Sequence, residues 1–271
     1  MREAQVHSVT TRFVAMPLAV LFVSASAACA QNWPSDAQVF RDVYGQVDAS
    51  GTSVRWDAAK ESTPRPYDGR SFAENGQEME VKVLLRGEAG GKLYVATSAV
   101  PKVSEQEKCH ACVAALGGAV YGRVNGAWKV EAASSAAIYA GGWGEPPVGM
   151  ELRRCGERTY CFAVEDGFTG QGYTDVSLKV YGPVGRAVRK LLAVPVESDD
   201  PDGSTEFSAS VRFVPHASKL PFFDVEVMGV RKRCARGDCS SSYEHKLYRY
   251  SEGEYAEVPF PVQVPSKAKK K

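Results

Sequence analysis

The chain has 271 residues, 44% hydrophobic, 24% charged and 10% aromatic, with 25 glycines and 15 prolines, a composition that excludes disordered, collagenous and multiply membrane-spanning classes. Its 33 basic and 32 acidic residues give a formal charge of +1, but the positive excess sits at the ends. Without residues 1–30 and the terminal Lys267, Lys269, Lys270 and Lys271 the body carries −4, the wrong sign for gripping a phosphate backbone, so no nucleic-acid partner is expected.

Arg2, His7 and Arg12 precede an apolar run from Phe13 to Val23, and the small residues Ser24 to Ala30 follow, closing on Ala28-Cys29-Ala30. Basic start, apolar stretch and small-residue exit are the order of a secretory signal peptide, so residues 1–30 are expected to be a leader cleaved after Ala30. The run is interrupted by Pro17 and falls short of the ~20 residues a spanning helix needs, so no membrane span is expected. Cys29 admits a lipidated alternative, although Ser26 stands where a branched apolar residue would precede an acylated cysteine.

Ser35-Asp36 can cap a short helix in which Val39, Phe40, Val43 and Tyr44 share a face before Gly45 ends it. Residues 31–77 then read as this helix followed by an extended lead-in, polar and turn-rich from Asp48 to Gln77 except for Val54, Trp56 and Phe72. From Met79 the pattern changes to short β-rich runs. Val81, Val83 and Leu85 alternate, Leu93-Tyr94-Val95 returns, and Ala119–Val124 meets Ala127–Glu131 across Asn125-Gly126, the dipeptide a type I′ turn demands.

Further hairpins join Met150–Arg154 to Tyr160–Val164, Val176–Tyr181 to Val188–Val194, the Phe207–Phe213 and Phe223–Val227 alternations, and Leu247–Tyr250 to Tyr255–Val258. A propeller needs four strands per blade of about 40–45 residues, and six hairpins make too few blades. The expected fold is all-β over residues 78–265, an antiparallel hairpin meander forming a sandwich or strongly curved sheet, with one short N-terminal helix and a lysine-rich tail at 266–271.

Beyond the leader six cysteines remain, in three close pairs: Cys109/Cys112, Cys155/Cys161 and Cys234/Cys239. Six cysteines permit 15 pairings, of which local pairing is the simplest. Such short loops are worth about 2 kcal/mol each, and the pattern suits an oxidising compartment, periplasmic or secreted. Cys109-His110-Ala111-Cys112 also admits a redox reading, in which Lys108 and a helical Ala111–Leu116 would lower a thiol pKa. Val113 stands where haem attachment would need a histidine. No metal site is expected, because His110, His216 and His245 are the only histidines beyond the leader to join cysteines in a closed zinc site.

Two glycine-rich stretches carry aromatics: Gly141-Gly142-Trp143-Gly144-Glu145-Pro146-Pro147 and Gly167-Phe168-Thr169-Gly170-Gln171-Gly172-Tyr173-Thr174. Glycine lets a partner approach the backbone, and aromatics among amides and hydroxyls suit sugar rings or a partner's loop. Trp143, Glu145, Phe168, Gln171 and Tyr173 are therefore the candidate binding residues, with tight turns as the duller reading. Asp199-Asp200-Pro201-Asp202-Gly203 fails the calcium-loop template, since Ala209 occupies the place of the bidentate Glu. There is no G-x-S-x-G, H-E-x-x-H or G-K-[ST] motif. No catalytic residue and no cofactor are nominated, although a carboxylate pair such as Glu145 and Asp166 keeps a wall-glycan hydrolase open.

Cys109-His110-Ala111-Cys112, Gly142-Trp143-Gly144-Glu145, Gly167–Tyr173 and Leu247-Tyr248-Arg249-Tyr250 together resemble a group of uncharacterised exported proteins of Gram-negative bacteria, over roughly residues 105–258. The resemblance implies export and β structure and carries no activity. The resulting expectation is an exported periplasmic binding protein without catalysis, contacting an envelope protein or cell-wall glycan through its two Gly/aromatic loops. The alternatives are a thiol-disulfide redox protein using Cys109 and Cys112, and the hydrolase.

Overall fold

A computed structural model of the chain describes residues 32–62, 76–102, 112–170, 172–216, 220–235 and 238–259. The leader with Cys29, residues 63–75 of the lead-in, Cys109 and His110, Gln171, the connection at 217–219 and the lysine tail lie outside the described residues.

Helix α1 (Asp36–Tyr44) forms where its caps place it. Ser35 Oγ accepts from the Gln38 amide, and Gly45, at φ 94°, donates its N–H to the Arg41 carbonyl. Val39, Phe40, Val43 and Tyr44 are its buried face. The lead-in then supplies more than a tether. Strand β1 (Ser53–Arg55) pairs antiparallel with β2 (Glu78–Ala89), a 3₁₀ turn covers Ala58–Lys60, and Val54 and Trp56 are buried.

With β3 (Lys92–Pro101), β4 (Ala114–Val124) and β5 (Ala127–Ala140), β1 and β2 make a five-stranded antiparallel sheet in chain order. Asn125 and Gly126, at φ 51° and 79°, close β4 to β5 as the I′ turn their chemistry predicts. The second sheet is an unbroken antiparallel meander of β6 (Glu151–Arg154), β7 (Tyr160–Gly170), β8 (Tyr173–Val184), β9 (Ala187–Asp199), β10 (Thr205–Val214), β11 (Asp224–Ala235), β12 (Asp238–Ser251) and β13 (Glu254–Val258). The expectation of an all-β antiparallel hairpin meander, a sandwich or strongly curved sheet with one short helix, holds, with the strands divided between two sheets.

Two local expectations change. Ala114–Leu116 opens β4 and is not helical, because the first nine residues of that strand are buried, and tertiary burial overrides the helix preference of alanine. Gly167–Thr174 is mostly strand, since β7 runs to Gly170 and β8 begins at Tyr173. Its glycine at 167 answers to a close approach, since a Cβ there would lie 2.2 Å from the Asp175 carbonyl oxygen.

Period-two alternation sorts the strands between three cores. On β3 and β4, Leu93, Val95, Ala119 and Tyr121 face α1, whereas Tyr94, Ala96, Leu116 and Val120 face the second sheet. On β7, Phe162 and Val164 pack against that first sheet, and Cys161 and Ala163 point the other way. The second sheet folds over on itself: β9 and β10 pair only from Asp199↔Glu206 to Glu197↔Ser208, while β10 pairs with β11 along its whole length. Leu178, Val180, Leu192 and Val194 then meet Val225, Val227 and Tyr255 in the third core.

Two buried phenols find the partners that burial requires, although Ser135 Oγ has none among the described residues. Tyr44 Oη donates to Thr97 Oγ1 at 3.0 Å, and Tyr94 Oη accepts from the Tyr160 amide at 3.2 Å. Burial pushes both phenols above their ordinary pKa.

Candidate functional site

The sheets end at different places. β5 stops at Ala140, while β7 and β8 continue as a hairpin to Gly170 and Tyr173. The hairpin face that carries Phe162 and Tyr181 into the second core continues outward through the cross-strand pairs Asp166–Ser177, Phe168–Asp175 and Gly170–Tyr173. Over that continuation hangs the loop leaving β5. Between them lies an open cleft of about 710 Å³, within the size range of small-molecule and side-chain sites.

The loop is built to hold one side chain outward. Gly142 and Glu145 exchange backbone hydrogen bonds at 3.2 and 3.0 Å, and the Gly144 amide donates to the Cys112 carbonyl at 2.7 Å. Between these ties Trp143 sits at φ 57° with 57% of its surface exposed. A bulky residue in the left-handed region is strained by about 1–3 kcal/mol, a cost that concentrates at functional positions. Gly141 is equally constrained: a Cβ there would come within 2.0 Å of the Glu145 carbonyl oxygen.

An ion pair fastens loop to hairpin. Asp166 Oδ1 accepts from the Gly141 amide at 2.5 Å, its Oδ2 lies 2.6 Å from Lys179 Nζ, and Lys179 also donates to the Tyr139 carbonyl at 2.8 Å. Both groups are largely buried, at 13% and 24% side-chain exposure. Both Asp166 oxygens are engaged in holding the loop. Sequence reasoning named Asp166 only as one of two carboxylates and missed Lys179. The available signal was a lysine two residues before Tyr181, on the face the strand buries.

Trp143, Phe168 and Tyr173 all line the cleft, together with Thr169, Asp175 and Ser177. The Phe168 and Tyr173 rings are tilted against each other with centroids 5.4 Å apart. Glu145 is exposed and closes the turn through its backbone, and it is not among the lining residues. Gln171 lies outside the described residues. Among those residues no cluster of three or more His, Cys, Asp or Glu side chains that could hold a metal is present, and no helix is long and apolar enough to cross a membrane.

Among the described residues two cysteine pairs are bridged locally, Cys155–Cys161 and Cys234–Cys239, with Cα separations of 5.8 and 4.1 Å. Their settings differ. Cys155 and Cys161 are fully buried in the third core, whereas Cys239 is exposed at the β11–β12 tip. Cys112 is also disulfide-bonded, and its carbonyl supports the Trp143 loop.

No protein-family model, curated protein or solved structure matches the chain.

Proposed function

We propose that this is an exported, periplasmic or secreted, binding protein without catalysis that contacts a protein or glycan partner through the cleft between the Trp143 loop and the β7–β8 hairpin. One observation carries the reading: two Gly/aromatic stretches about 25 residues apart in sequence line the same cleft, with Trp143 held outward in a strained conformation. The local disulfides suit an oxidising compartment. The Cys112 disulfide and backbone contact give that segment a supporting role beside the cleft.

The test is a pull-down from bacterial envelope extract under oxidising conditions, comparing the native chain with the Trp143→Ala plus Tyr173→Ala double variant. The partner recovered by the native chain is expected to be lost from the variant while its far-UV circular dichroism is unchanged. Equal recovery by both proteins overturns the reading.

A further inference from the structure

Among the described residues, the edge of β7 beside the cleft is paired along only part of its length. β6 pairs with β7 only from Arg154↔Tyr160 to Glu151↔Ala163, whereas β7 pairs with β8 as far as Gly170. The Cys155 amide donates to the Thr159 carbonyl, so the alternation of an antiparallel ladder directs the backbone groups of odd-numbered β7 residues toward β6. Beyond Ala163 the groups so directed belong to Glu165, Gly167 and Thr169. All three residues are exposed, and no described strand pairs with them on that side.

The chain that enters β6 does not extend the pairing. It carries Pro146 and Pro147, which have no N–H to donate, and Gly149 at φ 79°. The resulting edge runs about 13 Å from Glu165 to Thr169 at the usual strand rise. Sheet edges are ordinarily paired, covered or blunted by lysine, proline or a bulge, because free backbone groups template another strand. Here Gly167, which has no side chain, lines the cleft through its backbone, so edge and cleft adjoin.

We propose that an extended segment of a partner protein adds as a strand to β7 at Glu165–Thr169 and places an apolar or aromatic side chain in the cleft between Trp143 and the Phe168–Tyr173 pair. This rests on the cleft being the contact site and names what enters it. In strand addition main-chain hydrogen bonds supply affinity, and a pocket for alternate side chains supplies specificity. Charge sets the segment's sign. Glu165 and Asp175 are exposed carboxylates around the site, and its lining base, Lys179, is paired with Asp166. The incoming segment is therefore basic.

The test selects phage-displayed random dodecapeptides on the oxidised full-length chain, then titrates a synthetic selected peptide. Selected peptides are expected to carry net positive charge and to protect the Gly167 and Thr169 amides from hydrogen exchange. They are expected to lose about tenfold or more in affinity for Thr169→Pro, which deletes one outward N–H. Should that variant fold poorly, N-methylation of alternate peptide amides replaces it, one register abolishing binding and the other sparing it. Failure to enrich any peptide overturns the proposal. Peptides, or neutral oligosaccharides, that need Trp143 yet leave those amides unprotected overturn strand addition and leave the cleft standing. Envelope-partner recovery that ignores both Trp143 and Tyr173 removes the cleft itself.

Discussion

At the scale of single residues, charge and backbone strain are spent on holding loops still. Asp48 shows this away from the cleft. Its carboxylate accepts from Ser50 Oγ and from the Thr52 and Ser53 amides, and the Ser50 hydroxyl, followed by the Ser53 amide, pulls its pKa down to about 2. A depressed carboxylate pKa contributes order above its ordinary value near 3.8 and loses it as pH falls through the folded value. The Thr52 and Ser53 amides should therefore lose exchange protection between about pH 4 and pH 2, measured against neighbouring strand amides as a control. Asp48→Asn should remove that pH dependence. Beside the cleft, Lys179→Met should leave Asp166 without its cationic partner and cost about 1–3 kcal/mol in urea denaturation. It should also loosen the Gly141–Glu145 turn, read as changed Trp143 fluorescence. A stability change with no change around Trp143 would mean that the ion pair serves only the core.

At the scale of elements, similar local signals lead to different roles once neighbours are in place. The Cys155–Cys161 and Cys234–Cys239 bridges both close short loops and look equivalent in sequence. Cys155–Cys161 nevertheless sits in the third core, while Cys234–Cys239 pins an exposed hairpin tip. Removing the tip bridge with Cys234→Ser and Cys239→Ser should cost about 2 kcal/mol or less by the loop-entropy estimate. Removing the core bridge with Cys155→Ala and Cys161→Ala should cost more, because a cavity adds to the lost cross-link. Paired thermal melts give the comparison. Glycine also divides by setting. At Asn125-Gly126 it serves the turn its sequence announces, while Gly167 lies within a strand because the neighbouring strand passes too close for a Cβ.

At the scale of the whole molecule, the three cores form one chain of dependence. Phe162 lies 5.0 Å from Tyr181 and 6.1 Å from Tyr94, ring centroid to centroid, at the seam between the sheets. Phe162→Ala should destabilise the fold by about 3–5 kcal/mol, and because Phe162 lies on the hairpin that carries Phe168 and Tyr173, it should weaken partner recovery as well. Much of the architecture was legible beforehand: α1 with its caps, the β alternations, the I′ turn and two of the three local cysteine pairs. Each depends on residues close together in sequence, where a period of 3.6 or 2, a positive φ or a short loop constrains the chain directly. Which sheet each strand joins, why β5 stops while β7 and β8 continue, and how Trp143 comes to line one cleft with Phe168 and Tyr173 were decided only by the tertiary structure. Those outcomes depend on side chains packing across distant segments. Alternation shows that a strand has two faces, but not what will cover either of them or where that cover ends.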